Sequence, residues 1–376
     1  MAHAYTPGLK VTRRTDLRKE RRLPLPGEVV VKEGDRVTAE TVVARTELPG
    51  NVQPVNVAGL LSIPPQEVKS VMLKNVNESV RKGEPIAESK SFFGLFKNSV
   101  TSPVDGIIES ISDITGQVII REPAIPITVN AYIDGVVVEV ILNEGVVVET
   151  AASFVQGIFG IGGETIGEIL VVADSPEQEL TKEMIKPEMN GKIVIGGSYV
   201  TSDALREAVK CKVHGIVVGA IDDKNLKDFL GYDIGVAITG NEQKGITLMV
   251  TEGFGKIPMA KRTFELFNEL NGKKASMNGA TQIRAGVIRP EVIVSLKEKP
   301  SNVAEESEGD LNQGLIAGTM VRVIREPYFG RIGKVTDLPP ELKIIETEAK
   351  VRVLEIEFDD GVKAIVPRAN VEIIEE

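Results

Sequence analysis

Residues 29–44 read VVVKEGDRVTAETVVA and residues 77–89 read NESVRKGEPIAES, and the second stretch echoes the first. Setting Val37 on Val80 also sets Val43 on Ile86 and Ala44 on Ala87, at one offset of 43 residues. Each copy reads as a turn, a valine, a polar loop and an apolar pair closing on alanine. A second echo joins Val104-Asp105-Gly106-Ile107-Ile108 to Ile133-Asp134-Gly135-Val136-Val137. Asp-Gly between apolar residues predicts a tight turn in which glycine supplies a positive φ. Duplicated hairpins facing one another predict a shared core and a pseudo-symmetric sandwich.

Outward from this repeat, residues 23–173 read as β-structure. Short Val/Ile runs alternate with Gly, Pro and Asx turns, and no helical period lasts ten residues. Residues 174–190 are polar, edged by Pro176 and Pro187, and read as a connector. From Gly191 the rhythm changes to strands (192–195, 215–218, 234–238, 246–250, 292–294) alternating with helical spacing (202–212, 225–230, 259–270). That alternation predicts an α/β domain over 191–296 with a mostly parallel sheet. Residues 297–313 are charged and poor in apolar side chains, which predicts a flexible linker. Residues 314–376 form a small β-rich unit.

The chain has 376 residues, enough for two or three domains with cores of their own. With 44 basic and 54 acidic residues its net charge is −10, so nucleic-acid contact would have to be local. Residues 1–22 hold seven cations (Lys10, Arg13, Arg14, Arg18, Lys19, Arg21 and Arg22) with no apolar run behind them, and read as a basic arm able to meet phosphates or simply solvated. No apolar run reaches the length of a membrane span, so a cytoplasmic protein is expected, without a membrane partner. Abundant Glu, Lys, Val and Ile without Trp points to a thermophilic source. One cysteine and two histidines exclude a disulfide framework and most His-centred chemistry.

The stretches 29–44, 77–89 and TSPVDGIIESI (101–111) resemble the barrel-sandwich hybrid of biotinyl/lipoyl-like domains over residues 23–145. Carrier members of that family place a modified lysine before the Ser/Ala-Pro pair. Counting back from Ser102 reaches Leu95, and counting forward from Gly83 reaches Phe93, so the resemblance implies a hybrid without a carrier arm. The run SFFGLFK (91–97), with Phe92, Phe93, Leu95 and Phe96, is either core or an interaction patch. The glycines of QGIFGIGGETIG (156–167) read as a tight backbone crossing rather than a dinucleotide fingerprint.

In the α/β region the loops after strands, Gly196-Gly197-Ser198, Gly219-Ala220, Thr239-Gly240-Asn241 and the stretch holding Gly253 and Gly255, gather small and hydroxyl residues. Such loops beyond parallel strands could take a small anion or nucleotide, even with enzymatic use, though ordinary turns have the same composition. Ser202 reads as the cap of the first helix, and no P-loop lysine or ribose acid is present. Cys211 and His214 supply two ligands where structural zinc needs four. No catalytic residue, metal set or cofactor is assigned.

GTMVRVIREPYFGRIGKVTDL (318–338) and the following KVRVLEIEFDDGVKAIVPRANVEIIEE closely resemble the KOW motif of NusG-like transcription factors and ribosomal proteins, over 314–376. The resemblance implies a small β-barrel that touches RNA or a protein surface through Arg325, Tyr328, Phe329, Arg331 and Lys334, an aromatic for stacking and cations for phosphate. Residues 311–376 carry 9 basic and 12 acidic residues, a net of −3, which weakens an RNA role. The whole chain thus resembles KOW-domain-containing proteins. It reads as a non-catalytic scaffold contacting RNA or a protein complex of the transcription or translation machinery, or as an accessory subunit of a large transcription or redox complex.

Overall fold

The computed structural model describes residues 9–90, 97–232, 244–281, 288–296, 315–325, 327–339, 341–344, 350–358 and 360–373. The strand expected at 234–238, the loop Thr239-Gly240-Asn241, the aromatic run 91–96 and the linker 297–313 lie outside these residues. Among the described residues strands make up 47% and helices 15%, so they are built mainly into sheets.

The largest sheet has eleven strands: β1 (Val11–Arg22), β2 (Arg36–Val37), β3 (Gly135–Ile141), β4 (Gly145–Gln156), β5 (Phe159–Ile161), β6 (Glu164–Val171), β7 (Lys192–Ile195), β8 (Gly215–Ile221), β9 (Thr247–Phe254), β10 (Lys274–Asn278) and β11 (Glu291–Ser295). Their order is β5-β9-β8-β7-β6-β10-β11-β4-β3-β2, with β1 paired to β4. Parallel pairing is confined to β6·β7, β7·β8 and β8·β9. The other pairs of these strands are antiparallel, so the sheet as a whole is mixed. Within residues 191–296, where a mostly parallel sheet was expected, β7·β8 and β8·β9 are parallel and β10·β11 is antiparallel. It also runs straight across the break expected at 174–190. Strands β3 to β6 come from one side of that connector and β7 to β11 from the other, because backbone pairing continues wherever an edge is left open.

β8 is GIVVGAI and is buried throughout, the pattern of a strand covered on both faces. Alternation sends Val194, Ile216, Val218, Leu248 and Val250 to one face, and Ile193, Ile195, Val217 and Met249 to the other. The first face receives Ala204, Leu205 and Ala208 of α1 (Ser202–Lys210) with Leu226 and Leu230 of α2 (Asp223–Leu230). The second receives Phe264, Leu266 and Phe267 of α3 (Lys261–Glu269). α1 is capped by Thr201, whose hydroxyl accepts from the Ala204 amide at 3.2 Å; Ser202, expected in that role, is already helical.

The sequence repeat is a structural repeat. Arg36–Val37 pairs with Gly135-Val136, and Ser79–Val80 pairs with Gly106-Ile107. Gly34 and Asn77, 43 residues apart, both have left-handed backbones (φ 89° and 72°). Their amides donate to the Val137 and Ile108 carbonyls, each at 2.8 Å. The copies do not share a core, however. Val37 and Val43 belong to a cluster with Ile133, Val137, Val148, Phe154 and Ile293, whereas Val80, Ile86 and Ala87 belong to a separate cluster drawn from residues 55–120. The Asp-Gly glycines also differ from expectation, since neither Gly106 nor Gly135 has a positive φ. A Cβ on Gly106 would lie 2.3 Å from the Arg121 carbonyl oxygen, and one on Gly135 would lie 2.4 Å from that of Glu149. Close backbone approach, rather than turn geometry, demands glycine there.

Residues 11–22, expected as an arm, are a full strand of the sheet. The C-terminal sheet comprises β12 (Met320–Val323), β13 (Ile332–Asp337), β14 (Leu342–Ile344), β15 (Lys350–Phe358), β16 (Lys363–Pro367) and β17 (Val371–Ile373). It surrounds its own core of Val321, Val323, Val335, Leu354, Ile356, Phe358 and Val366.

Candidate functional site

Two groups of candidate residues, distant in sequence, meet in space. Gly253, near the end of β9, has φ 151°, and a Cβ on it would lie 2.2 Å from the Gly330 carbonyl oxygen. A Cβ on Gly330, at φ 78°, would lie 2.6 Å from the Phe254 ring. Phe254 in turn meets Phe159 at 5.1 Å and Phe329 at 6.2 Å between ring centroids. The glycine-rich end of β9 is therefore the seat of the C-terminal sheet, and Phe329 packs inward with Ile324 against the central core.

A buried charge network locks the same contact. Arg322, on β12, donates to Glu252 of β9 and to Glu372 of β17, both at 2.7 Å, and Glu372 also accepts from Arg289 at 3.1 Å. The three central side chains are only 5% (Arg322), 9% (Glu252) and 1% (Glu372) exposed. The second Glu252 oxygen accepts from the Ala260 amide at 3.0 Å, tying the network to the entry of α3. The pair Glu252–Arg322 escaped sequence analysis because an isolated Glu and Arg 70 residues apart carry no local signal.

The other loop residues of the C-terminal module are placed as follows. The Tyr328 ring packs on Phe358 at 5.3 Å. Arg331 stacks on the same ring at 4.0 Å and pairs with Asp360 at 2.7 Å. Arg325 and Lys334 are exposed. Tyr328, Phe329 and Arg331 are thus each engaged within the chain.

The loop Gly196-Gly197-Ser198 is buried under the expected connector. The Ser198 amide donates to the Gln178 carbonyl at 2.9 Å and its hydroxyl to the Glu177 carbonyl at 2.7 Å. A Cβ on Gly197 would lie 2.5 Å from the Ser175 and Gln178 carbonyl oxygens. The Gly196 and Gly255 amides donate to Val217 and Ile221 carbonyls at 2.8 and 3.0 Å. The glycines at 157–162 make the expected close crossing: a Cβ on Gly160 would lie 2.6 Å from the Gly279 carbonyl oxygen.

Beside these loops lies a polar cluster that sequence analysis missed. The Tyr199 hydroxyl donates to Asp222 at 2.6 Å and accepts from Asn225, while Asp222 caps α2 through the Asn225 amide at 2.6 Å. The Ser202 hydroxyl donates to Asp228 at 2.7 Å, and its amide donates to Asn225 at 2.8 Å. Burial and the Asp222 carboxylate push the Tyr199 hydroxyl well above its ordinary pKa. Burial opposes ionisation of Asp222, but hydrogen bonds from Tyr199 and Asn225 outweigh it and hold the carboxyl below its ordinary value. Lys256 stacks on Tyr199 at 5.0 Å and pairs with Glu179 at 2.7 Å. An ionised Asp and a proton-retaining Tyr make this a helix-positioning cluster joining α1, α2 and the connector.

Five cations of the first strand pair with acids. Arg13 pairs with Glu269, Arg18 with Glu149, Lys19 with Glu291, Arg21 with Glu164, and Arg22 with Glu20 and Glu144. The His214 ring lies against the Ile166 carbonyl at 2.6 Å, and half-buried Cys211 closes α1. Among the described residues, no group of three or more His, Cys, Asp or Glu is placed to hold a metal ion, and no helix is long and apolar enough to cross a membrane. No protein-family model, curated protein or solved structure matches the chain.

Proposed function

We propose that this chain is a scaffold protein, a barrel-sandwich hybrid and a KOW-type barrel fixed to a central α/β unit, which offers docking faces to a protein complex. The observation that carries the reading is the Glu252–Arg322–Glu372–Arg289 network: a buried, reciprocally bonded charge set specifies one orientation of the terminal barrel on the sheet. A fixed orientation suits a platform that must hold partners in register. Protein contact is favoured over RNA because Phe329 packs inward and Arg331 is held by Asp360, which leaves a stacking ring and a phosphate ligand committed elsewhere. The exposed Lys334, Glu357, Lys363 and Ile365, of both charge signs with an apolar member, form a surface of the kind proteins recognise.

The test is cross-linking of the full chain in cells of its source, with an anisotropy titration against labelled single-stranded RNA alongside. The reading expects cross-links from Lys334 and Lys363 to protein, and no RNA binding that weakens in R325E/K334E. RNA affinity that falls steeply with salt and is lost in that variant would assign the barrel to RNA instead.

A further inference from the structure

The outer edge of β1 carries an inference independent of the proposed function. The Leu23 amide donates to the Glu144 carbonyl at 2.7 Å, and the register then runs without interruption from Arg22↔Gly145 to Thr15↔Ala152. Antiparallel bonding alternates along a strand, so the odd-numbered residues bond β4. Asp16, Arg18, Glu20 and Arg22 therefore turn their N–H and C=O groups to the outer edge. Among the described residues β1 pairs with β4 alone. The same four residues expose their side chains, Arg18 by 70%. A register shift between Thr12 and Thr15 ends the regular edge on one side.

Along this edge the signs read minus, plus, minus, plus. Two such strands related by a two-fold axis through Lys19 would set Asp16 against Arg22, and Arg18 against Glu20, at every hydrogen-bonded position. Slipping the pair by two residues in either direction sets Arg against Arg and Glu against Glu or Asp. In-register parallel pairing sets each residue against its own copy. A slip of four restores opposite signs but keeps only two of the four facing pairs, so the arrangement centred on Lys19 is the closed, isologous one that matches all four residues.

We propose that residues 16–22 are a homodimer contact, at which a second copy of this chain pairs antiparallel about Lys19 and continues the eleven-stranded sheet across the two-fold axis. Lys19 is neutralised by its bidentate pair with Glu291, at 2.7 and 2.6 Å, so two copies can meet there. Within the chain Arg18 pairs with Glu149 on the neighbouring strand, and Arg22 with Glu144 at its turn and with Glu20 on the same edge. These are side-chain contacts and leave the outward backbone groups to pair, while Glu20 and Arg22 would exchange their mutual contact for Arg18 and Asp16 of the second copy.

Sedimentation of the full chain over a concentration series tests this, with far-UV circular dichroism verifying the fold of each variant. The wild type is expected to dimerise. Glu20→Arg turns two attractive cross-strand pairs repulsive and should weaken the dimer by roughly tenfold or more. Arg18→Pro deletes an outward N–H without removing a bond to β4, and should weaken it as well. R18E and E20R chains, each impaired alone, should form a mixed dimer, since every facing pair is then opposite in sign. A chain monomeric at every concentration, a dimer unchanged by E20R and R18P, or an R18E and E20R mixture that stays monomeric overturns the proposal.

Discussion

Arg322→Met severs the charge network at its centre. In the wild type the guanidinium bonds Glu252 and Glu372 at 2.7 Å in a site only 5% exposed at the arginine. Methionine fills similar space but leaves the Glu252 carboxylate with the Ala260 amide as its partner, and Glu372 with Arg289. Removing one member of a buried pair strands the other charge, which costs about 3–5 kcal/mol, whereas an exposed pair would cost at most about 1 kcal/mol. The cost is that of the orphaned charge, so E252Q/R322M should lose distinctly less than the sum of its single variants. Urea denaturation followed by far-UV circular dichroism measures all three. The reasoning fails if R322M lies within about 1 kcal/mol of wild type, or if the two single losses simply add.

Gly253→Ala introduces a methyl carbon 2.2 Å from the Gly330 carbonyl at a backbone angle closed to L-residues. It should destabilise the chain by about 2 kcal/mol or more in the same assay, while Gly191→Ala, with open space around it, should cost less. Thr201→Ala removes the cap of α1 and should cost about 1 kcal/mol in thermal unfolding. Asp222 has a depressed folded-state pKa, so its contribution is fully present above the unfolded-state value near ~4 and fades as pH falls through the lower folded value. Tyr199→Phe should move that carboxyl upward in a carbon-detected NMR titration, and an unmoved resonance would count against the cluster. Phosphate or nucleotide at millimolar level should leave the melting temperature unchanged, since Ser198, Gly196 and Gly255 already spend their amides within the chain; a saturable rise would revive the anion site.

The strands at 192–195, 215–221 and 247–254 and the helices at 202–210, 223–230 and 261–269 were legible because their cores are written as period-two and helical spacing. The equivalence of Val37 with Val80 was equally legible, since each heads the same local motif. What lay beyond sequence was which surfaces those motifs meet: two copies of one hairpin look alike whether they share a core or occupy two. β1 was misread because only Val11 and Leu17 interrupt its polar residues; its inward positions carry Lys19 and Arg21, whose partners Glu291 and Glu164 are supplied from distant strands. Gly253 and Gly255 suggested a ligand loop through composition alone. A glycine that admits a phosphate and one that admits a neighbouring carbonyl are the same residue, and only the position of Gly330 separates the cases.

The C-terminal module is fixed to the large sheet through Arg322, with the Phe329-Gly330 loop turned inward. Nitrogen-15 relaxation on the full chain tests it without perturbation, by comparing amides between Met320 and Val371 with those between Lys192 and Phe254. One rotational correlation time is expected for both sets. A distinctly shorter time for the C-terminal amides would contradict it.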